Sequence, residues 1–178
     1  LGVARMNPDG LEQRMQPCLV PASSAVGELP GVTNAVVIEG DFVGAITLEG
    51  PGAGAGPTAS AILGDVVDIA RGNFRPTFGL PAAGLARAPR SQEGAEAAYY
   101  LRLTLRDRPG ALAQVASAFG GQAISIDRMR QYGHRGAEAP VVIVTHPARA
   151  QAIQAALAGI AALEVSVAPP VALRIEEV

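Results

Sequence analysis

The fold is decided by residues 99–110, which read YYLRLTLRDRPG. From Tyr99 to Arg106 apolar and polar side chains alternate, and this period of two predicts a β-strand with one buried face. The segment Asp107–Gly110 breaks the alternation with a proline and a glycine, which predict a turn that opens a helix. The C-terminal region therefore begins with a strand that leads directly into a helix.

The residues after this turn continue with helices and strands. Helical spacing predicts one helix with its apolar face between Leu112 and Phe119, and a second helix opened by Pro147. Further strands are predicted at residues 124–126, 141–144 and 163–167. The resulting order βαββαβ is that of a ferredoxin-like sheet. The alternation at residues 171–175 suggests one added C-terminal strand.

The N-terminal region has a different pattern of predicted elements. Residues 1–72 hold a short extended piece, a hairpin of two β-rich runs around Gly40, a glycine-rich loop and a helix. That helix should begin near Pro57 and be buried on much of its circumference, because its apolar residues repeat on two sides. Residues 73–97 lack periodicity and are predicted to be a linker. The chain is thus predicted to be α+β, with segments 1–72, 73–97 and 98–178.

The amino-acid composition limits the classes of partner that the protein is expected to have. The 178 residues are 49% hydrophobic and 17% charged, with a net charge of −2 and one cysteine, Cys18. We see no basic patch and no apolar run of membrane-spanning length, so neither a nucleic acid nor a membrane is an expected partner. A single cysteine fits a reducing compartment, and the cytoplasm is the expected location.

Few side chains offer catalytic chemistry. All 14 residues counted as lysine or arginine are arginines, so a mechanism that needs a lysine cannot be completed on this chain. His134 and His146 lack other ligands at metal-binding spacing. We therefore predict no metal site and assign no catalytic residue.

The glycine-rich loop at residues 50–56 allows two interpretations. Backbone N–H groups ahead of a helix could hold a phosphate, because a helix N-terminus carries partial positive charge. Alternatively, the glycines permit tight backbone packing. The spacing alone leaves both interpretations open.

The loop and its trailing helix carry a family resemblance. Residues 50–61 and 63–71 resemble the C-terminal signature of homoserine dehydrogenase, and residues 17–21 and 31–41 also fit the end of that family's catalytic domain. Residues 99–178 resemble the ACT regulatory domain that many bacterial members carry. The resemblance implies the C-terminal part of an enzyme that interconverts aspartate 4-semialdehyde and homoserine with NAD(P), in threonine and methionine biosynthesis.

The resemblance also implies site residues. Gly54 is the first candidate for contact with NAD(P) in the full-length enzyme, with Gly52 and Thr58 as its neighbours. The chain alone is expected to bind no cofactor and to be inactive, because it has neither the family's Rossmann glycine motif nor its lysine. The partners expected are an amino-acid effector, with threonine the first choice, and a second copy in a homodimer or higher homo-oligomer, paired through ACT and hairpin strands.

The effector site is expected at the turn after the first strand of the ACT region. Its predicted residues are Asp107, Pro109, Gly110 and Ala111, joined by Ile124, Ser125 and Ile126 from the next strand. A purely structural interpretation makes Asp107 a helix N-cap and Pro109 the first helical residue. The family commonly has glycine where this chain has Ala123, which narrows the room for a ligand.

Two other functions stay open from the sequence. The chain could be a free-standing amino-acid-binding module, which would leave the string at residues 50–71 unexplained. It could also be a structural dimerisation piece that binds nothing.

Overall fold

The computed structural model describes residues 1–76, 78–91, 94–133 and 136–178. Its strands and helices are, in chain order, β1 (Gly2–Asn7), β2 (Gly10–Met15), β3 (Cys18–Leu19), β4 (Thr33–Gly40), β5 (Gly44–Pro51), α1 (Ala55–Ala70), β6 (Tyr99–Arg106), α2 (Ala111–Gly120), β7 (Ile126–Gln131), β8 (Glu138–Thr145), α3 (Ala150–Ala161) and β9 (Val171–Ile175). A short 3-10 turn covers Ala82–Gly84. The predicted α+β class is confirmed.

Two compact units make up the chain. The first unit consists of residues 1–20 and 89–177, and the second consists of residues 21–88 with Val178. Residues 1–20 thus group with the C-terminal region, so the units do not follow the predicted divisions at residues 72 and 97. The reason lies in β-pairing, because Cys18 and Leu19 in β3 run parallel to Arg174 and Ile175 in β9.

The first unit is built on a five-stranded sheet with the order β3-β9-β6-β8-β7. Strand β6 pairs antiparallel with β8 on one side and with β9 on the other. Its inward side chains are buried as the alternation predicts, with Leu101 at 0% and Leu103 at 2% exposure. Helices α2 and α3 complete the core with the buried residues Val115, Phe119, Ile153, Ala156 and Ile160.

The predicted strand at residues 163–167 is wrong. This segment forms only an isolated bridge between Ser166 and Leu105, with hydrogen bonds from Arg106 N to Val165 O and from Val167 N to Thr104 O. Residues 169 and 170 are both prolines, which have no N–H to donate, so the ladder stops there. Strand β9, predicted as an addition, is therefore the last strand of the βαββαβ order.

Helix boundaries also differ from the predictions. Helix α1 begins at Ala55 rather than near Pro57, and α3 begins at Ala150 rather than at Pro147. No residue of α1 is buried, which contradicts the predicted burial on much of its circumference. The second unit provides a two-stranded sheet and one long helix, too few layers to enclose that helix.

A cluster of four charged residues lies in the first unit. Glu12 is 9% exposed, Arg174 5% and Glu176 4%, and Arg14 forms ion pairs with both glutamates. Burial raises the pKa of the Glu12 carboxyl, but hydrogen bonds from Asn7 and from the backbone N–H of residue 95, together with the charge of Arg14, outweigh that effect. The pKa of Glu12 therefore lies below its ordinary value of 4.5.

We predict that Glu12→Gln destabilises the chain by about 1–3 kcal/mol near neutral pH, because a hydrogen-bonded charge is lost from a buried cluster. A lowered pKa contributes stability above the unfolded-state pKa, and that stability is lost as the pH falls through the folded-state pKa. The difference between wild type and variant should therefore shrink below about pH 4.5. Urea unfolding followed by tyrosine fluorescence measures it, since Tyr99, Tyr100 and Tyr132 are the three tyrosines of the chain and all lie in the first unit.

The same substitution at exposed Glu177 is the control and should change little. A difference for Glu12→Gln that stays constant from neutral to acidic pH would contradict the assignment of a lowered pKa.

Candidate functional site

A cavity of about 580 Å³ opens at the end of the sheet where β6 meets α2. Its walls come from the end of β6, the following turn, the first turn of α2, the last residue of β7 and the start of β8. The lining residues are Leu105, Arg106, Asp107, Arg108, Pro109, Gly110, Ala111, Leu112, Ala113, Gln131, Ala139 and Val141. The volume is in the range of small-molecule sites.

The turn between β6 and α2 shapes the floor of this cavity. The Asp107 N–H donates to Ala137 O at 2.9 Å, which keeps the chain extended past the end of β6. Gly110 then takes a φ of 82° and is the N-cap of α2, so the helix begins at Ala111. The structural alternative, with Asp107 as N-cap and Pro109 as first helical residue, is therefore wrong.

The N-terminus of α2 presents free backbone donors to the cavity. The Ala111 N–H donates to Arg108 O, and the first intrahelical bond runs from Gln114 N to Gly110 O. Helix geometry leaves the N–H groups of Leu112 and Ala113 without an intrahelical acceptor. Both residues line the cavity, where the helix dipole favours a negatively charged group.

The arginines at the rim are already held by Glu164. Arg108 donates two hydrogen bonds to the Glu164 carboxylate, at 3.2 and 3.1 Å, and Arg106 Nε donates to Glu164 O at 3.1 Å. The bonds from Arg108 and its charge lower the pKa of the Glu164 carboxyl. Because the Arg108 guanidinium already donates to Glu164, the α2 N–H groups are the better donors for an incoming carboxylate.

The structure brings together only part of the predicted effector site. Asp107, Pro109, Gly110 and Ala111 line the cavity, whereas Ile124, Ser125 and Ile126 do not. Helix α2 crosses over the sheet and returns the chain to the end where β6 starts. There Ile126 pairs with Thr145, at the opposite end of β7 from the cavity.

Sequence reasoning missed Gln131, the last residue of β7, which lines the cavity. It pairs with Val141, and Val141 is also the partner of Leu103 in β6, so the antiparallel register carries Gln131 to the correct end. Its polar side chain at the end of a strand was the available signal.

Ala123 lies at the end of α2 and is not part of the cavity wall. Its φ is 55°, a left-handed conformation that favours glycine, and its N–H donates to Gly120 O at 3.0 Å. The Ile124 N–H donates to Phe119 O, which completes a Schellman-type helix end. The predicted narrowing of the ligand site by Ala123 is therefore not seen in this chain.

The glycine-rich loop lies in the second unit. Gly54 is the N-cap of α1 with a φ of 121°, and its carbonyl accepts a hydrogen bond from Thr58 N at 3.1 Å. A Cβ at Gly52 would meet the side-chain amide of exposed Asn34, which would have to move aside. The N–H groups of Ala55 and Gly56 have no intrahelical acceptor. The loop thus places a helix N-terminus at Gly54, next to a contact between Gly52 and the Asn34 side chain.

The described residues contain no group of three metal-ligating side chains. His146 is exposed, and its backbone N–H donates to Ser125 O. His134 lies outside the described residues. Among the helices in the described ranges, none is long and apolar enough to cross a membrane.

Comparisons with known proteins identify the two regions. Residues 99–162 match the family model of the ACT domain, so the cavity lies in a member of a regulatory domain class that binds amino acids. Residues 2–67 match the family model of homoserine dehydrogenase. The chain belongs to the homoserine dehydrogenase family and corresponds to its C-terminal, ACT-containing part, which confirms the resemblance seen in the sequence.

Individual relatives support the same assignment. The chain is 37% identical to the homoserine dehydrogenase of Pseudomonas aeruginosa and 36% identical to that of Neisseria gonorrhoeae, over 99% of its own length. It spans 43% and 42% of those two proteins. The crystal structure of a homoserine dehydrogenase from Thiobacillus denitrificans is similar with a TM-score of 0.84 and 34% identity, over 99% of this chain and 41% of that one.

We predict that Gly110→Ala destabilises the first unit by about 1–2 kcal/mol, because alanine is strained at a left-handed φ. Gly120→Ala is the matched control at the other end of α2. A side chain there meets nothing within 4 Å, and alanine should stabilise the helix by up to about 1 kcal/mol. Urea unfolding of both variants tests this, and equal effects at the two positions would contradict the strained geometry at Gly110.

Proposed function

We propose that the first unit binds a free amino acid in the cavity at residues 105–113 and regulates a homoserine dehydrogenase of which this chain is the C-terminal part. The observation that carries the proposal is that the first N–H groups of α2 and the acidic residue Asp107 line the same cavity. An amino acid carries one negative and one positive group on the same carbon, and this arrangement offers a partner for each.

The cavity chemistry suggests how the effector lies. Its α-carboxylate would accept hydrogen bonds from the N–H groups of Leu112 and Ala113, and its α-ammonium would pair with Asp107. Ala139 and Val141 form an apolar wall, and Gln131 adds an amide at the edge. Threonine, with one methyl and one hydroxyl group, fits that combination, and it is therefore our first choice of effector.

In the whole enzyme, we propose, NAD(P)H would supply the hydride that reduces aspartate 4-semialdehyde to homoserine, and NAD(P)⁺ would accept it in the reverse direction. The proposed contribution of this chain is one wall of the nucleotide site. Gly54 and its neighbours Gly52 and Thr58 would contact the dinucleotide, and the support is the helix N-terminus beside exposed backbone at Gly54. The match of residues 2–67 to the dehydrogenase model supports the same role.

The assembly we propose is a homodimer or a higher homo-oligomer. Strand β7 is an edge strand of the five-stranded sheet, and five of its six residues are exposed. Pairing of that edge with a second copy would bring Ile124, Ser125 and Ile126 of one copy towards the cavity of the other. A cytoplasmic location also stays a prediction.

We predict that L-threonine stabilises the first unit by about 2.7 kcal/mol at 100 times its Kd, because it binds only the folded state. Asp107→Ala should weaken threonine binding about tenfold or more, since a charge-assisted hydrogen bond to the ammonium is lost. Isothermal titration calorimetry and thermal melts measure both effects, with isoleucine, methionine and lysine tested beside threonine.

Asp65→Ala is the control. Asp65 is an exposed aspartate on α1 that does not line the cavity, so threonine affinity should be unchanged. If none of these amino acids shifts the melting temperature, the effector function is refuted and a structural dimerisation role is the better explanation.

We also predict that the purified chain has no dehydrogenase activity, since it contains no lysine and the family's proton transfer requires one. An assay with homoserine and NADP⁺ that follows absorbance of NADPH tests this. Measurable turnover would show that catalysis lies within these 178 residues and would refute the assignment of the chain to a non-catalytic role.

A further inference from the structure

The buried charge cluster of the first unit joins three segments that are far apart in the sequence. Glu12 and Arg14 come from β2, Arg174 from β9 and Glu176 from the residue after it. Arg14 contacts Glu12 and donates to Glu176 at 2.5 Å, and Arg174 Nε donates to Glu176. The four side chains therefore form one continuous network of alternating sign.

The backbone of Ala95, in the segment before β6, also hydrogen-bonds to the charged side chains. The Ala95 N–H donates to Glu12 Oε2 at 3.1 Å, and Arg174 Nη2 donates to Ala95 O at 2.8 Å. Arg174 Nη1 also donates to the Tyr99 hydroxyl at 3.2 Å, at the first residue of β6. The cluster thus connects the β1–β2 hairpin directly to the start of the central strand.

This hairpin is attached to the sheet by polar contacts rather than by an apolar core. Strands β1 and β2 form a separate two-stranded sheet, and none of their residues belongs to the buried hydrophobic cluster. For buried ion pairs, the desolvation cost and the electrostatic attraction nearly cancel. Arg14 Nε is moreover buried without a hydrogen-bond acceptor among the described residues. Separating the members of the cluster would leave a buried charge uncompensated, so the hairpin and the start of β6 are energetically linked through it.

Strand β6 runs from this charge cluster to the proposed effector site. Tyr99 at its first position contacts Arg174, and Arg106 at its last position lines the cavity. Glu12 and Arg14 lie within the region matched by the homoserine dehydrogenase model, whereas Arg174 and Glu176 lie beyond the region matched by the ACT model. Through Tyr99, the first residue matched by the ACT model, the cluster links the dehydrogenase-type segment to the regulatory domain.

We propose that the cluster of Glu12, Arg14, Arg174 and Glu176 couples occupancy of the effector cavity to the position of the β1–β2 hairpin. An amino acid bound at the N-terminus of α2 fixes the end of β6, and the hairpin is then held more firmly at the start of the same strand. The proposal rests on the proposed effector function. Coupling is reciprocal. If threonine binding favours the intact charge cluster by some factor, disruption of the cluster must lower the threonine affinity by the same factor.

Hydrogen exchange on the 178-residue chain tests the coupling without any mutation. The rate of exchange is measured for the β2 amides of residues 11–15, with L-threonine absent and then at about 100 times the Kd found by calorimetry. We expect threonine to slow the exchange of these amides about fivefold or more. The amides of residues 106–113 serve as an internal reference for occupancy of the cavity.

Arg14→Met provides the reciprocal measurement, because methionine keeps an apolar stem and removes the charge. This variant should bind threonine about fivefold more weakly and should lose the threonine effect on residues 11–15. Arg149→Met, which removes an exposed arginine paired with Glu96 outside β7 and outside the cavity, should change neither quantity. If Arg14→Met fails to fold, the hydrogen-exchange experiment on the wild-type chain still tests the coupling.

The outcomes separate the two proposals. Protection of residues 106–113 without protection of residues 11–15 would overturn the coupling and leave the effector function intact. Absence of threonine binding in the wild-type chain would refute the effector function, and the coupling would fail with it. Protection of both segments in wild type, lost at residues 11–15 in Arg14→Met, is the result expected.

Discussion

The register of β6 is the constraint on which the first unit depends. The strand is hydrogen-bonded on both edges, to β8 along residues 100–106 and to β9 along residues 99–102. Its inward residues are almost fully buried, whereas Arg102 and Arg106 on the alternate positions are exposed. A slip by one residue would turn those arginines into the core, where an unpaired charge is very costly. The register is therefore fixed from both sides.

Both candidate features of the first unit follow from this fixed strand. The end of β6 determines where the turn at Asp107–Gly110 and the N-terminus of α2 lie, and so defines the cavity. The start of β6 places the Tyr99 hydroxyl beside Arg174. In a sheet with a loosely specified central strand, neither the backbone donors of α2 nor the buried ion pairs would have a defined geometry.

Much of this fold could be predicted from local sequence, because alternation and helical spacing report burial directly. The alternation at residues 99–106 correctly predicted β6, and the glycine at position 110 correctly marked the start of α2. The prediction of a strand at residues 163–167 was wrong although that segment alternates as residues 171–175 do. Both segments lie along the same edge of β6, with Ser166 opposite Leu105 and residues 171–174 opposite residues 99–102. Only the two prolines between them decide where regular pairing resumes.

The parts of the site that the sequence did not predict depend on tertiary geometry. Ile124 to Ile126 were expected at the cavity as part of the strand that follows α2, but within one chain the crossover places them at the opposite end of β7. Gln131 reaches the cavity through register alone. The pairing of Arg14 with Glu176 joins residues 162 positions apart, and no periodicity or motif signals such a contact.

The exposure of the second unit has a thermodynamic consequence. Among its described residues only Ser24 is buried, and large apolar side chains such as Phe42 and Val32 are almost fully accessible to water. The heat-capacity increment of unfolding comes mainly from apolar surface that becomes newly hydrated. Other apolar residues of this unit, such as Ile46 and Val67, are a little under half accessible. The second unit therefore contributes a smaller share of that increment than the sheet around β6, whose inward side chains are almost fully buried.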